Sequence, residues 1–507
     1  MSARRFPTGC VASPHYLASG AGLSVLARGG NAMDAAVAVN LALGVVAPYL
    51  CGYGGDLFAM VWDGELHAYN GSGRAPASAT PQRVGAERMP TFGSHTVTVP
   101  GAVRGWFDLL SRFGSMSFAE LAGEATRYAH DGFPLTPGAV RAIEDAAHAF
   151  TDPYASAWRE VYAEPGAVLR QPALARTIET LSQHGPDPFY EGEIAAAISD
   201  TLGGLMSIED LASHTGDWVE PLRGPFRDLE VCEMPPNTQG VTALEALRIA
   251  DGVDLPPAGS TGREHVLIEA VKLALSDRDA HVTDPEHMTI GAGELLSDGW
   301  ISRRRDEIDP TRAGTPAPGR AATGGTAYMC AADANGMLVS LIQSNYMGFG
   351  SGVHVRDWGL NLHNRGSFFS LDLGHPNAIG PRKRTMHTLI PAMAFRDGRP
   401  WLVFGTMGGD GQAQTHLQLL VRVVIDGLDP QQAVNAPRWV VSPADWSIRI
   451  EDRFPDEVKE GLAALGHRVH TDPPYSRWMG HAHAIEVTPH GYVAASDPRA
   501  EGAALGL

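Results

Sequence analysis

Four stretches beyond residue 325 constrain the fold most: TAYMCAAD, GMLVSLIQSN, TLIPAMAFRDGRPWLVFGT and HAHAIEV carry apolar residues at both odd and even positions. Side chains alternate faces along a strand, so a strand that is apolar on both parities must be covered on both faces. The covering helices can be read as well. Leu17–Gly29 and Ala32–Val46 have helical composition and are separated by GGNAMD, in which Asn31 or Asp34 can cap the second helix. Ser117 to Leu275 is mainly helical, interrupted by a strand pair around FRDLEVCEMPP, and HLQLLVRVVIDGL has the i, i+3, i+4 spacing of a covering helix. LFAMVWDGELHAYNGSGRAP reads as a hairpin turning at Asp63-Gly64.

Hydrophobic residues make up 44% and charged residues 19% of the chain, which predicts a compact protein rather than a disordered one. A net charge of −18 argues against a polyanionic partner, so nucleic acid is not expected. The longest apolar run, AAVAVNLALGVVAPYL, is too short to span a bilayer and contains Asn40 and Pro48, so no membrane association is expected. Arg4 and Arg5 are followed by Pro7, Gly9 and Pro14 rather than by an apolar run, which predicts a cytoplasmic protein. GYGGD at Gly52–Asp56 lacks the strand-then-helix context of a dinucleotide loop, and no phosphate-loop or zinc-hydrolase motif is present, so no cofactor is expected. His481 and His483 would face one side of a strand, but without further ligands at a recognisable spacing no metal is expected. Asp277, Asp279 and Asp284 read as solvated surface or local caps.

The sharpest discontinuity is DPTRAGTPAPGRAATGG, Asp309–Gly325, which has neither helical nor strand periodicity and predicts an exposed, mobile segment. It ends where Gly324-Gly325-Thr326 enters a buried strand. By composition this is an ordinary turn exit, yet it is also a place where a chain could be cut without breaking its core.

The chain resembles the γ-glutamyltransferase family of N-terminal nucleophile (Ntn) hydrolases. The likeness runs from GCVASPHYLASGAGLSVLARGGNAMDAAVAVNLALGVV through TVPGAVRGW, GGLMSIEDLA, MPPNTQG, IEAVKLALSDRDAHVTDP, GFGSGV and NAPRW to ASDPRAEGAA. It implies an α+β fold, a four-layer αββα sandwich, made as one precursor and cut into a large chain (1–325) and a small chain (326–507) that together form one domain. It implies cleavage between Gly325 and Thr326, with the freed Thr326 as nucleophile. A threonine hydroxyl needs an adjacent base, and a free α-amino group with a pKa of about 8 can serve within the same residue. By the same resemblance Ser344 orients the nucleophile, the N–H groups of Gly408 and Gly409 stabilise the oxyanion, and Arg74, with His387 and Thr388, holds a substrate carboxylate.

Ser344 stands where the family more usually has threonine, His387 and Thr388 stand where it has two serines, and three further positions depart more sharply. Where it grips the α-amino group of a γ-glutamyl substrate with an asparagine, a glutamine and an acid, this chain has Tyr346, Arg365 and Phe368. An ammonium group needs acceptors or negative charge, and a phenol, a cation and an apolar ring do not supply them. The departure resembles the acylase-like and oxamate amidohydrolase-like branch, which implies an amidohydrolase for a small carboxylate-bearing amide, with Arg365 as a second positive group. The alternatives are a genuine γ-glutamyltransferase or glutathione hydrolase, or a biosynthetic hydrolase of an unusual bond, even carbon–carbon. A non-catalytic binding protein is a further reading, and the joint presence of Thr326, Ser344, Gly408 and Gly409 argues against it. Whether processed heterodimers assemble further is left open.

Overall fold

The computed structural model of the chain describes residues 3–507 apart from 152, 164–165, 318 and 320–323. Its centre is a pair of seven-stranded sheets. Their strands, in chain order, are β1 (Arg4–Phe6), β2 (Cys10–Ser13), β3 (Asp56–Trp62), β4 (Leu66–Asn70), β5 (Asp217–Val219), β6 (Leu222–Phe226), β7 (Leu229–Glu233), β8 (Gly325–Ala332), β9 (Leu338–Tyr346), β10 (Ala392–Arg396), β11 (Arg399–Thr406), β12 (Ala482–Thr488), β13 (Gly491–Ser496) and β14 (Ala503–Gly506). One sheet runs β14-β2-β8-β9-β3-β4-β5 and the other β1-β13-β12-β11-β10-β7-β6.

Both parities of β8 are used, as its composition requires. Ala327, Met329 and Ala331 pack with Val25, Val39 and Leu43 from helices α1 (Tyr16–Ala27) and α2 (Ala32–Val46). Tyr328, Cys330 and Ala332 meet Met393, Val403 and Ile485 of the second sheet. The far face of that sheet, including Ala394, Phe404 and Ala484, packs with Leu247, Ile268 and Leu417 from α3 (Gly240–Asp251), α4 (Thr261–His281) and α5 (Gly411–Leu420). The order is therefore helix, sheet, sheet, helix, each layer hiding apolar area that its neighbour would otherwise expose. Asn31 and Asp34 both cap α2: the Asn31 side chain accepts from Asp34 N, and the Asp34 carboxylate accepts from Asn31 N. Among the described residues no helix is long and apolar enough to cross a membrane.

Two expectations fail. The described part of the segment before Thr326 is not loose: Ala313 N donates to Leu465 O at 2.7 Å, Gly319 N to Pro443 O at 2.9 Å, and Trp446 Nε1 to Pro316 O at 2.8 Å. Its lack of periodicity reflects backbone bonding to other loops, which leaves no pattern in the side chains. Residues 318 and 320–323 of that segment lie outside the described residues. Of the two readings given to Asp277 and Asp284, solvated surface fails, since both are buried, Asp277 against Arg304 and Asp284 against Arg74 at 3.3 Å, while the local cap holds for Asp284, whose Oδ1 accepts from Glu286 N at 3.3 Å.

Candidate active site

Thr326 is the second residue of β8 and is 1% exposed. On β8 the even positions look between the sheets, and β9 places Ser344 beside it. The pairing slips there, from Gly325↔Tyr346 to Ala327↔Gln343, so Ser344 and Asn345 together face Thr326. Such a bulge re-aims side chains. Here it closes a hydroxyl relay: Thr326 Oγ1 donates to Ser344 Oγ at 3.1 Å, and Ser344 Oγ donates to the Gly325 carbonyl oxygen at 2.7 Å. Tyr346 N in turn donates to Ser344 Oγ at 2.7 Å, fixing the serine rotamer. The two glycines before Thr326 are required by close approach. A Cβ on Gly325 would lie 2.4 Å from Tyr49 O, and one on Gly324 would lie 2.5 Å from Tyr346 O.

Gly408 and Gly409 follow β11, whose Gly405 packs against the Tyr328 ring two residues beyond Thr326. Both have positive φ, 137° and 57°, and among the described residues neither N–H has an acceptor. They are held by a residue outside the expected set. Gln239 Nε2 donates to Gly409 O and to Thr388 O, both at 2.9 Å. Its Oε1 accepts from Arg278 Nη1 at 2.8 Å, and Arg278 also grips Asp410, just past the glycines. The glycine loop and Thr388 are thus tied through one buried amide.

The expected binding residues separate into two groups. Arg365 is 1% exposed. Its Nη1 donates to Thr388 Oγ1 at 3.2 Å, and its guanidinium lies over the Tyr346 ring, 4.2 Å from the centroid. Phe368 closes against that ring with centroids 5.5 Å apart. Nε and Nη2, the two donors along one edge of the guanidinium, have no partner among the described residues. Burial pushes the Arg365 pKa down to about 10, against the opposing effects of Tyr346 and Asp56. Beneath it lies Asp56, fully buried and paired in register with Ser344. Asp56 Oδ2 accepts from His387 Nε2 at 3.1 Å and sits 3.4 Å from His363 Nδ1, while Oδ1 accepts from Gly73 N at 3.1 Å. Burial alone would raise the Asp56 carboxyl, but His363, His387 and Arg365 outweigh it and hold it at about 2. Burial, with Arg365 adding to it, lowers His387 to about 3.

Arg74 stands apart from this group. Its side chain is 38% exposed and paired with Asp284, its Nη1 also donates to Arg382 O at 3.2 Å, and it lines an open cleft of about 70 Å³ with His214, Asp217, Arg382 and Arg384. Neither Thr326 nor Arg365 lines that cleft. Asp56 is the buried residue that sequence reasoning missed. It ends the GYGGD run, and a carboxylate entering an otherwise apolar strand was the available signal.

The family model described as Gamma-glutamyltranspeptidase matches residues 18–507. The chain belongs to this family. As a γ-glutamyltranspeptidase-family member it is 40% identical to a glutathione hydrolase-like proenzyme of Bacillus subtilis, with 98% of each chain covered. It is 36% identical to the oxamate amidohydrolase proenzyme of Klebsiella pneumoniae, again over 98% of each. The crystal structure of a cephalosporin acylase from Bacillus halodurans superposes with a TM-score of 0.95 at 38% identity, covering 100% of this chain and 97% of that one. Both the family and the four-layer fold expected from the sequence are borne out, and the chain is an Ntn-type hydrolase.

Proposed function

We propose that this γ-glutamyltranspeptidase-family chain cuts itself between Gly325 and Thr326, and that the freed Thr326 hydrolyses amides whose small acyl group carries a carboxylate bound by Arg365. The relay supports the first step. Attack of Thr326 Oγ1 on the Gly325 carbonyl carbon puts negative charge on the oxygen that already accepts the Ser344 proton, and such a donor is worth several kcal/mol to a forming oxyanion. The C–N bond breaks, the nitrogen takes the proton and becomes the α-amine, and water then hydrolyses the resulting ester. In turnover the α-amine accepts the Thr326 hydroxyl proton, Oγ1 forms an acyl ester with the substrate, and the amine product leaves with that proton. The Gly408 and Gly409 N–H groups are the donors for the tetrahedral oxyanion. Water, deprotonated by the same amine, releases the acid.

The observation that carries the substrate class is the unfilled edge of Arg365. A guanidinium edge matches a carboxylate with two parallel hydrogen bonds, and a buried cation without such a partner is costly. A substrate carboxylate would satisfy both donors at once. Asp56, the nearby carboxylate, does not suit an α-ammonium group, since each of its oxygens is already engaged. Steady-state rates on matched glutaryl, oxamyl and γ-glutamyl anilides test this. The amine-free acyl groups should have the higher kcat/KM, and a clear preference for the γ-glutamyl compound would reject the assignment.

A further inference from the structure

One face of α4 carries His265, Glu269 and Lys272, all buried, and His467 meets them from beyond the cut. His265, Glu269 and His467 offer ligand atoms within 4.8 Å of one another, the spacing of a metal site. The hydrogen bonds assign the site differently. His265 Nε2 faces Asp309 O at 2.8 Å, and since a carbonyl only accepts, the proton is on Nε2 and Nδ1 is a lone pair. That lone pair accepts from His467 Nε2 at 2.8 Å, which leaves His467 Nδ1 as an acceptor for Lys272 Nζ at 3.2 Å. The ammonium spends its other two protons on Glu269 Oε1 at 2.8 Å and Gly314 O at 3.0 Å. Glu269 Oε2 then accepts from Gly314 N at 2.9 Å. Both imidazole lone pairs and all three ammonium protons are committed. The cation around which this triad is built is Lys272 itself.

What the cluster grips is the backbone of Asp309 and Gly314, in the stretch leading to Thr326. The same stretch is bonded on its other side to Leu465, Trp446 and Pro443. Those three residues and His467 all follow the cut, whereas α4 and the gripped stretch precede it. We infer that the Lys272–His467–His265 cluster is a clasp between the two fragments, holding the tail of the large fragment on the small one after cleavage, with the lysine ammonium in the place a metal would take. This rests on the cut after Gly325 proposed above.

The bond between Arg312 and Ala313 lies inside the clasp and is a trypsin site, so its cleavage reports release of the tail. Processed wild type, confirmed as cut by intact mass, should resist trypsin at Arg312, and Lys272→Met should be cut there at least about tenfold faster, because removing one partner of a buried charged cluster exposes what it held. His467→Asn should act in the same direction and serves if Lys272→Met does not fold, with Lys459→Met, a half-buried lysine paired with Asp452 and Asp456 outside the clasp, as the control that should change nothing. Equal rates in wild type and both clasp variants would overturn the clasp. Uptake of one zinc ion per wild-type chain would overturn the role of the ammonium. A wild type that stays full length would reject the cut instead, and the Arg312 rates on that uncut chain would still judge the clasp.

Discussion

Arg365 and Arg74 carry the same head group in opposite surroundings. Arg365 is 1% exposed, stacked on Tyr346, with two donors that meet no partner among the described residues. Arg74 is 38% exposed on its side chain and already paired with Asp284. Water and a counter-ion satisfy the outer arginine whether or not a ligand is present, so a carboxylate gains little by joining it. The inner one bears a desolvation cost that Tyr346 and Asp56 offset only in part and that an incoming anion would relieve further. The difference teaches why the proposed function puts acyl specificity on the buried arginine and leaves steering to the exposed one.

The largest effect tests the frame of the comparison. Thr326→Ala removes the hydroxyl of the relay and should leave the chain full length on a denaturing gel and without measurable hydrolysis. A processed, active Thr326→Ala enzyme would place the nucleophile elsewhere and leave Arg365 facing no reaction. Next comes Arg365→Met. Loss of one partner of a buried charge pair typically costs about 2–5 kcal/mol, so kcat/KM for a carboxylate-bearing acyl amide should fall by roughly 30-fold to a few thousand-fold, with processing retained. The matched neutral acyl amide should lose far less, and an equal loss on both would mean that Arg365 supports the fold rather than the acyl group.

A smaller effect is expected at Asp56, whose charge opposes the effect of burial on the inner arginine. Its carboxyl is held at about 2 in the folded state, below its ordinary value of 3.8. A depressed carboxyl stabilises the fold above its unfolded pKa, and that stability is lost as pH falls from about 4 through 2. The loss amounts to on the order of 2 kcal/mol, since one pKa unit is about 1.4 kcal/mol. Asp56→Asn should flatten the acid limb of a urea-unfolding series in that window and lower kcat/KM by about tenfold through a looser Arg365. An unchanged acid limb would show that His363 and His387 do not depend on Asp56.

The architecture was legible because it is written in side-chain parity: Tyr328 and Cys330 against Ala327 and Met329 already call for two covered faces. The nucleophile was legible only by resemblance, since Gly324-Gly325-Thr326 looks like any turn exit until the bulge brings Ser344 to the Gly325 carbonyl. The candidate binding residues were half legible. Tyr346, Arg365, Phe368, His387 and Thr388 do gather, but Asp56 lies 331 residues from His387 and Gln239 lies 149 and 170 residues from Thr388 and Gly409, separations at which a sequence carries no contact signal. The pinned stretch around Gly314 was misread for a related reason: its partners, Leu465 and Pro443, act through backbone atoms, which every residue type supplies.

The smallest effect, at Arg74, sharpens the comparison most finely. An exposed, already paired guanidinium contributes through the field it projects, and that field is screened over about 8–10 Å at physiological salt. Arg74→Ala should therefore raise KM for an anionic acyl amide only a few-fold at low salt and leave kcat close to wild type, because the charge guides binding without touching the reacting atoms. Raising the ionic strength should narrow the gap between Arg74→Ala and wild type, whereas the deficit of Arg365→Met, which arises in a site closed to ions, should persist. If salt instead left the Arg74→Ala deficit intact and erased that of Arg365→Met, the assignments of inner anchor and outer guide would have to be exchanged.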